Sequence, residues 1–169
     1  MIAFSSLLSA QHGWNPVWIS FSAFAIALVA ARLFLGHTPD KLGGAKVALV
    51  CVFIEVAGLA LIWAASNPVV AATGAALTGF GYSLVYPGLG VEAVRRAPPQ
   101  SRGLAMGAYT IFLDVALGFG TPALGLVAGW IGLGAVFLTS AVIVLCAAAI
   151  AAWLVRAPSG DSVHQPRNG

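Results

Sequence analysis

The chain has 169 residues, of which 60% are apolar and 8% charged, and its mean hydropathy is +0.95. Soluble domains run near 45–50% apolar and about 25% charged, so this composition excludes a soluble enzyme, a disordered chain and a nucleic-acid-binding domain. Eight Lys and Arg against five Asp and Glu give a net charge of +3, too few basic groups for a phosphate-binding surface, and the excess reads as membrane topology.

Residues 1–10 are apolar but too short to span a bilayer, and no Lys or Arg precedes them as a signal peptide requires. They read as the end of a helix whose beginning is absent. Five long apolar stretches follow, at about 17–35, 47–66, 68–90, 103–130 and 133–155. Each is long enough to cross about 30 Å of hydrocarbon at 1.5 Å per residue. Helix is the open-chain solution there, because backbone groups find no water partners. The breaks carry turn residues: His12-Gly13-Trp14-Asn15-Pro16, residues 36–46, Ser66-Asn67-Pro68, residues 97–103, and Gly129-Trp130-Ile131-Gly132. The fold class is therefore an all-α integral membrane protein with five transmembrane helices plus the end of a sixth. The membrane domain is expected at residues 1–157, and a polar, disordered tail at 158–169.

Lys41 and Lys46 lie in the loop 36–46, with Arg32 just before it; Arg95, Arg96 and Arg102 follow the third stretch, and Arg156 and Arg167 close the chain. The alternate breaks carry no Lys or Arg. All eight positive residues thus fall on one side, which the positive-inside rule makes cytoplasmic. Trp14, Trp18 and Trp130 near the uncharged side and Trp153 near the charged one suit interfacial anchors. Cys51 and Cys146 sit in apolar runs and offer neither a disulfide framework nor metal spacing.

Charged residues within a span are functional suspects. Asp114 lies near the middle of the fourth stretch, with Gly107, Thr110, Gly118 and Thr121 on its helical face. This small, polar stripe suits a water-filled cavity or close helix packing, and it makes Asp114 a candidate proton or substrate group. Glu55, in the second stretch, has Ala48, Cys51, Val52, Gly58, Leu59 and Ile62 on its face, which reads as a packing surface. The third stretch places Thr78, Tyr82, Ser83 and Tyr86 on one face; two aromatics with polar tips suit a ligand-stacking site. Pro87 should kink that helix. Gly103-x-x-x-Gly107 and Gly118-x-Gly120-x-Pro122-x-x-Gly125 suit close helix contacts in the fourth stretch. The pairs Gly79-x-Gly81 and Gly88-x-Gly90 follow no strand, so a dinucleotide-binding reading fails.

The loop between the first two stretches reads Gly36-His37-Thr38-Pro39-Asp40-Lys41-Leu42-Gly43-Gly44-Ala45-Lys46. It resembles the G-x-x-x-D-R/K-x-G-x-R/K loop of the major facilitator superfamily: Gly36, Asp40, Lys41, Gly43 and Gly44 match, while Lys46 stands one place late. The run 79–108, beginning GFGYSLVYPG, is similar to the sugar-efflux and drug-efflux-like branch. The resemblance covers about residues 1–157. It implies the C-terminal half of a twelve-helix transporter: the end of the seventh helix, then helices eight to twelve, without the N-terminal half. It implies a binding site between the halves, lined by helices seven, eight, ten and eleven. That favours Asp114, Tyr82, Tyr86, Thr78 and Thr110 as substrate- or proton-binding residues over Glu55 on the ninth helix. It further implies a cytoplasmic latch. Glu92, Arg95 and Arg96 stand at i, i+3 and i+4, and Asp40 would meet Arg95, Arg96 or a helix N-terminus.

The expectation is proton-coupled efflux of a small organic solute, such as a sugar or drug-like compound, in a bacterial-type inner membrane. The partners are lipid, solute, protons and a missing N-terminal half, with no cofactor or metal. No ATP-binding loop is present. The competing reading is a non-transporting subunit or relic half that assembles through its glycine faces. A membrane-embedded enzyme is disfavoured, since His12, His37 and His164 lie in loops or the tail and no catalytic motif accompanies them.

Overall fold

The computed structural model describes residues 2–156. Met1 and the tail expected at 158–169, with Arg167, lie outside the described residues, as do the side chains of Ile2, Ala3, Asp40, Ile150, Ala151 and Leu154. The described chain is helical from end to end: α1 (Ile2–Gln11), α2 (Ile19–Leu35), α3 (Thr38–Leu42), α4 (Gly44–Trp63), α5 (Pro68–Arg96), a 3-10 turn (Pro99–Ser101), α6 (Arg102–Ile131) and α7 (Leu133–Arg156).

Each boundary has a local cause. Asn67 caps α5 by accepting a hydrogen bond from the Val70 N–H at 2.9 Å, and Pro68 follows at a position that needs no N–H. Gly132, at φ +109°, separates α6 from α7. Two expectations need correction. The loop 36–46 contains the short helix α3, opened by Pro39 and closed by Gly43 at φ +94°. That backbone is strained for any residue with a side chain, so Gly43 is what lets α4 start at once, three residues earlier than its apolar run. Beyond Gly90, α5 continues to Arg96, so Glu92, Arg95 and Arg96 are helical. Pro87 lies inside α5 without ending it.

Among the described residues, the helical stretches Gly44–Trp63, Pro68–Arg96 and Pro99–Ile131 are long and apolar enough to cross a membrane. Ile19–Leu35 is apolar but shorter, and α7 is apolar from Leu133 through Ala149 within a helix of 24 residues. The turn around Asn15 and Pro16 delays α2 to Ile19, which leaves it 17 residues and about 25 Å of rise.

The strongest packing is between α4 and α5, and it runs on glycine. Gly44 faces the backbone of Gly88, Gly58 faces Gly74 and Thr78, and Gly81 faces Cys51 and Glu55. The order of these pairs makes the helices antiparallel. Between lipid tails no hydrophobic drive joins helices, so close backbone approach and packing must do so. Gly79 lets α2 approach at Phe24, and α7 rests on α4 through Leu59, Ile62, Phe137 and Ala141. By contrast α6 touches α5 and α7 only lightly and has no buried residue. A Cβ added at Gly103, Gly107, Gly118, Gly120, Gly125 or Gly129 would meet nothing within 4 Å. The glycine contacts expected on α6 are therefore absent among the described residues; they belong to α4 and α5. The up-and-down course brings Arg32, Lys41, Lys46, Arg95, Arg96, Arg102 and Arg156 to one end of the bundle.

A Cβ at Gly58 would stand 2.6 Å from the Thr78 N and 2.7 Å from the Gly74 O. We expect Gly58→Val to destabilise the detergent-solubilised chain by about 1–3 kcal/mol, the usual cost of overpacking, whereas Gly118→Ala leaves its melting temperature unchanged or raised. Equal melting of the two variants would contradict this packing.

Candidate functional site

A cavity of about 590 Å³ lies between α2, α4, α5, α6 and α7. Phe24 and Leu28 line it from α2, Glu55 from α4, Thr78 and Tyr82 from α5. Leu117, Gly120, Thr121, Leu124 and Val127 line it from α6, and Thr139, Ser140, Ile143 and Val144 from α7. The glycines of α5 seat its polar wall. Gly81 leaves the space in which the Glu55 backbone and Cβ sit, and Gly79 lets Phe24 close in. The Gly58 gap admits the Thr78 hydroxyl.

Glu55 is 4% exposed, Thr78 3% and Ser140 4%, whereas Tyr82 is 40% exposed with its ring 6.4 Å from that of Phe24. Two of the hydroxyls that line the cavity are already committed. Thr78 donates to the Gly74 carbonyl at 2.9 Å and Thr121 to the Leu117 carbonyl at 3.1 Å, each one turn back in its own helix. Ser140 is different: its Oγ is buried and has no hydrogen-bond partner among the described residues. A buried, unpaired hydroxyl is destabilising by about 1–3 kcal/mol. The cavity thus presents a buried carboxyl group and an unsatisfied hydroxyl on an otherwise apolar wall, the composition of a small-molecule site.

The expected site residues divide over three places. Thr78 and Tyr82 share this cavity. Tyr86 does not: its ring stacks on Tyr109 at 5.2 Å, and the Tyr109 hydroxyl donates to the Tyr86 carbonyl at 3.0 Å. Tyr86 lines a separate groove between α5 and α6, near the basic end. Asp114 and Thr110 lie on α6 outside the cavity wall; Asp114 is exposed within this chain, one turn before Leu117. Thr110 donates to the Met106 carbonyl at 3.0 Å. Sequence reasoning placed Glu55 on a packing face and did not single out Ser140. The first requires knowing that Gly81 opens the α4–α5 interface beside it, and an isolated serine in an apolar helix carries no signal.

At the basic end, Arg96 Nε donates to Glu92 Oε1 at 2.6 Å, one turn apart, with Glu92 buried. Arg95 and Lys41 are exposed, and Gly36 caps α2 through its N–H to the Arg32 carbonyl at 3.0 Å. Asp40 is within α3, and its side chain lies outside what is described. Gly44 packs beside Gly88 and the Glu92 backbone, which brings the α3–α4 turn onto the last turns of α5.

A bundle of apolar helices with a basic end and a solute-sized cavity is the architecture of a multi-pass membrane protein. The chain belongs to the Major Facilitator Superfamily, whose family model matches residues 1–169. It is similar to an uncharacterized MFS-type transporter of Pseudomonas aeruginosa, 43% identical over 153 residues, covering 90% of this chain and 38% of that protein. It is also similar to one of Salmonella typhimurium, 43% identical over 154 residues, covering 91% and 40%. A third, from Burkholderia mallei, is 46% identical over 139 residues, covering 82% and 34%. The chain therefore spans about two fifths of the length of such relatives. No solved structure matches it.

Because Ser140 has no partner, Ser140→Ala should leave the melting temperature of the empty protein unchanged or raise it, since the substitution removes an unsatisfied group. A loss of more than about 1 kcal/mol on unfolding would mean that the hydroxyl is bonded after all.

Proposed function

We propose that this chain is the C-terminal part of a secondary active transporter that exports a small organic solute, such as a sugar or drug-like compound, against a proton flux. The observation that carries the reading is the pairing of a solute-sized cavity with an unburied helix. The cavity holds Glu55, Thr78, Tyr82 and Ser140. Beside it α6 presents Asp114, Thr110 and six glycines to open space. A second, N-terminal half packed on α6 would close the cavity and enclose Asp114 between the halves, where such transporters bind their cargo. Asp114 then takes up and releases the proton, while Thr78 and Tyr82 contact the solute and Tyr86 stiffens the base of α5. Energy comes from the ion gradient, with no cofactor. The basic end faces the cytoplasm by the positive-inside rule, and the membrane is the bacterial inner membrane.

The gate is at that end. Gly43 and Gly44 seat the turn that carries Asp40 and Lys41 against α5, beside Glu92, Arg95 and Arg96. Glu92–Arg96 joins two residues of the same helix, so alone it holds nothing shut; it becomes a gate only as part of a cluster with the turn. Asp40→Asn should shift the balance between inward- and outward-facing states. An unchanged transport rate in the complete protein argues against the latch.

The test of the transport reading uses the full-length protein in proteoliposomes with an internal pH dye and a panel of sugars and drug-like solutes. Solute-dependent proton movement is expected, reduced at least tenfold in Asp114→Asn, a barrier change of about 1.4 kcal/mol. The open glycine face of α6 also suits a non-transporting subunit that assembles through it. No solute-driven proton movement, with the chain nonetheless held in a complex, would favour that second reading.

A further inference from the structure

The groove between α5 and α6 at the basic end lies outside the cavity of the cycle proposed above and shares only Arg95 with the proposed gate. It encloses about 470 Å³, within the usual range of ligand pockets. Arg95 and Arg102 line its outer end, from the last turn of α5 and the first residue of α6. One to two turns deeper, its wall is Val91 and Pro87 from α5 and Met106 from α6. Both arginines are exposed, and among the described residues neither has an ion-pair or hydrogen-bond partner. Arg96, by contrast, bonds to Glu92.

We propose that this groove binds an anionic phospholipid, its phosphate on Arg95 and Arg102 and the start of an acyl chain on Val91, Pro87 and Met106. The order of the wall carries the argument. Charge stands at the surface end and apolar surface toward the membrane interior, as headgroup and tail do in a lipid. A free phosphate would use the arginines but leave the apolar wall wet. A neutral lipid would use the wall but leave two cations without a partner. Guanidinium groups suit phosphate oxygens through paired N–H donors. Basic pockets between helices at the cytoplasmic surface are a recognised way to hold anionic headgroups. The groove persists because Tyr109, stacked on Tyr86, joins α5 and α6 just below it while the rest of α6 stays loosely packed. The proposal rests on the chain's membrane placement and not on transport.

The test is lipid binding to the detergent-purified chain, read by native mass spectrometry with phosphatidylglycerol or phosphatidylcholine added. The wild type should hold one phosphatidylglycerol in preference to phosphatidylcholine. Each arginine contributes roughly fivefold, so Arg95→Gln/Arg102→Gln should weaken that binding about 25-fold. Arg32→Gln/Arg156→Gln removes the same charge from the same end outside the groove and should weaken it far less. Val91→Trp keeps both arginines, fills the apolar wall and should displace the lipid. Equal losses in the two double variants would overturn the proposal in favour of diffuse surface charge. Displacement of the lipid from the wild type by millimolar inorganic phosphate, with Val91→Trp silent, would overturn it in favour of a free-anion site. The competition needs no variant to fold, and solute flux is not read, so failure of the transport reading leaves the result interpretable.

Discussion

Backbone-to-backbone contact between α4 and α5 is the constraint on which the rest of this bundle depends. Lipid tails are as apolar as leucine, so burying leucine against leucine gains little within a membrane. What gains is dispersion between surfaces that fit, and glycine allows the closest fit. The two helices meet through Gly44 and Gly88 at the basic end, Cys51, Glu55 and Gly81 in the middle, and Gly58 with Gly74 beyond. Helices α2 and α7 take their places from this pair. Phe24 of α2 reaches α5 over Gly79, and Phe137 of α7 packs on Leu59 and Ile62 of α4.

The same economy leaves α6 apart. Its six glycines face open space, and Phe112, Phe119 and Trp130 are more than two thirds exposed. A helix of this composition in a bilayer is covered by lipid tails or by another protein surface. Small residues in such numbers favour a helix surface, because lipid gains nothing from their absent side chains. The N-terminal half proposed above would supply such a surface. The molecule therefore divides into a rigid pair, α4 and α5, and a loosely held wall, α6, with the cavity between them.

Hydrogen bonding decides which polar residues remain available. Thr73, Thr78, Thr110 and Thr121 each donate to a carbonyl of their own helix, which is how a membrane helix accommodates hydroxyls without a partner helix. Tyr109 takes the Tyr86 ring and carbonyl. Glu55 is buried on the cavity wall, and the Ser140 hydroxyl beside it is the buried group that the packing leaves without a partner among the described residues.

The all-helical class, the positions of the long helices and the gathering of basic residues at one end were legible in the sequence. Apolar run length and loop charge are local properties that a bilayer reads directly. The superfamily loop was legible too, from the pattern Gly36, Asp40, Lys41, Gly43 and Gly44; the positive φ at Gly43 came only with the structure. Tertiary structure alone decided which glycines carry contacts, since Gly81 and Gly120 look alike until a neighbouring helix arrives at one of them. It likewise separated Tyr82 from Tyr86, which share a helical face but meet different partners, and it turned Glu55 from an apparent packing residue into a cavity wall. Those outcomes depend on which helix lies opposite, and a single chain's periodicity holds no record of its neighbours.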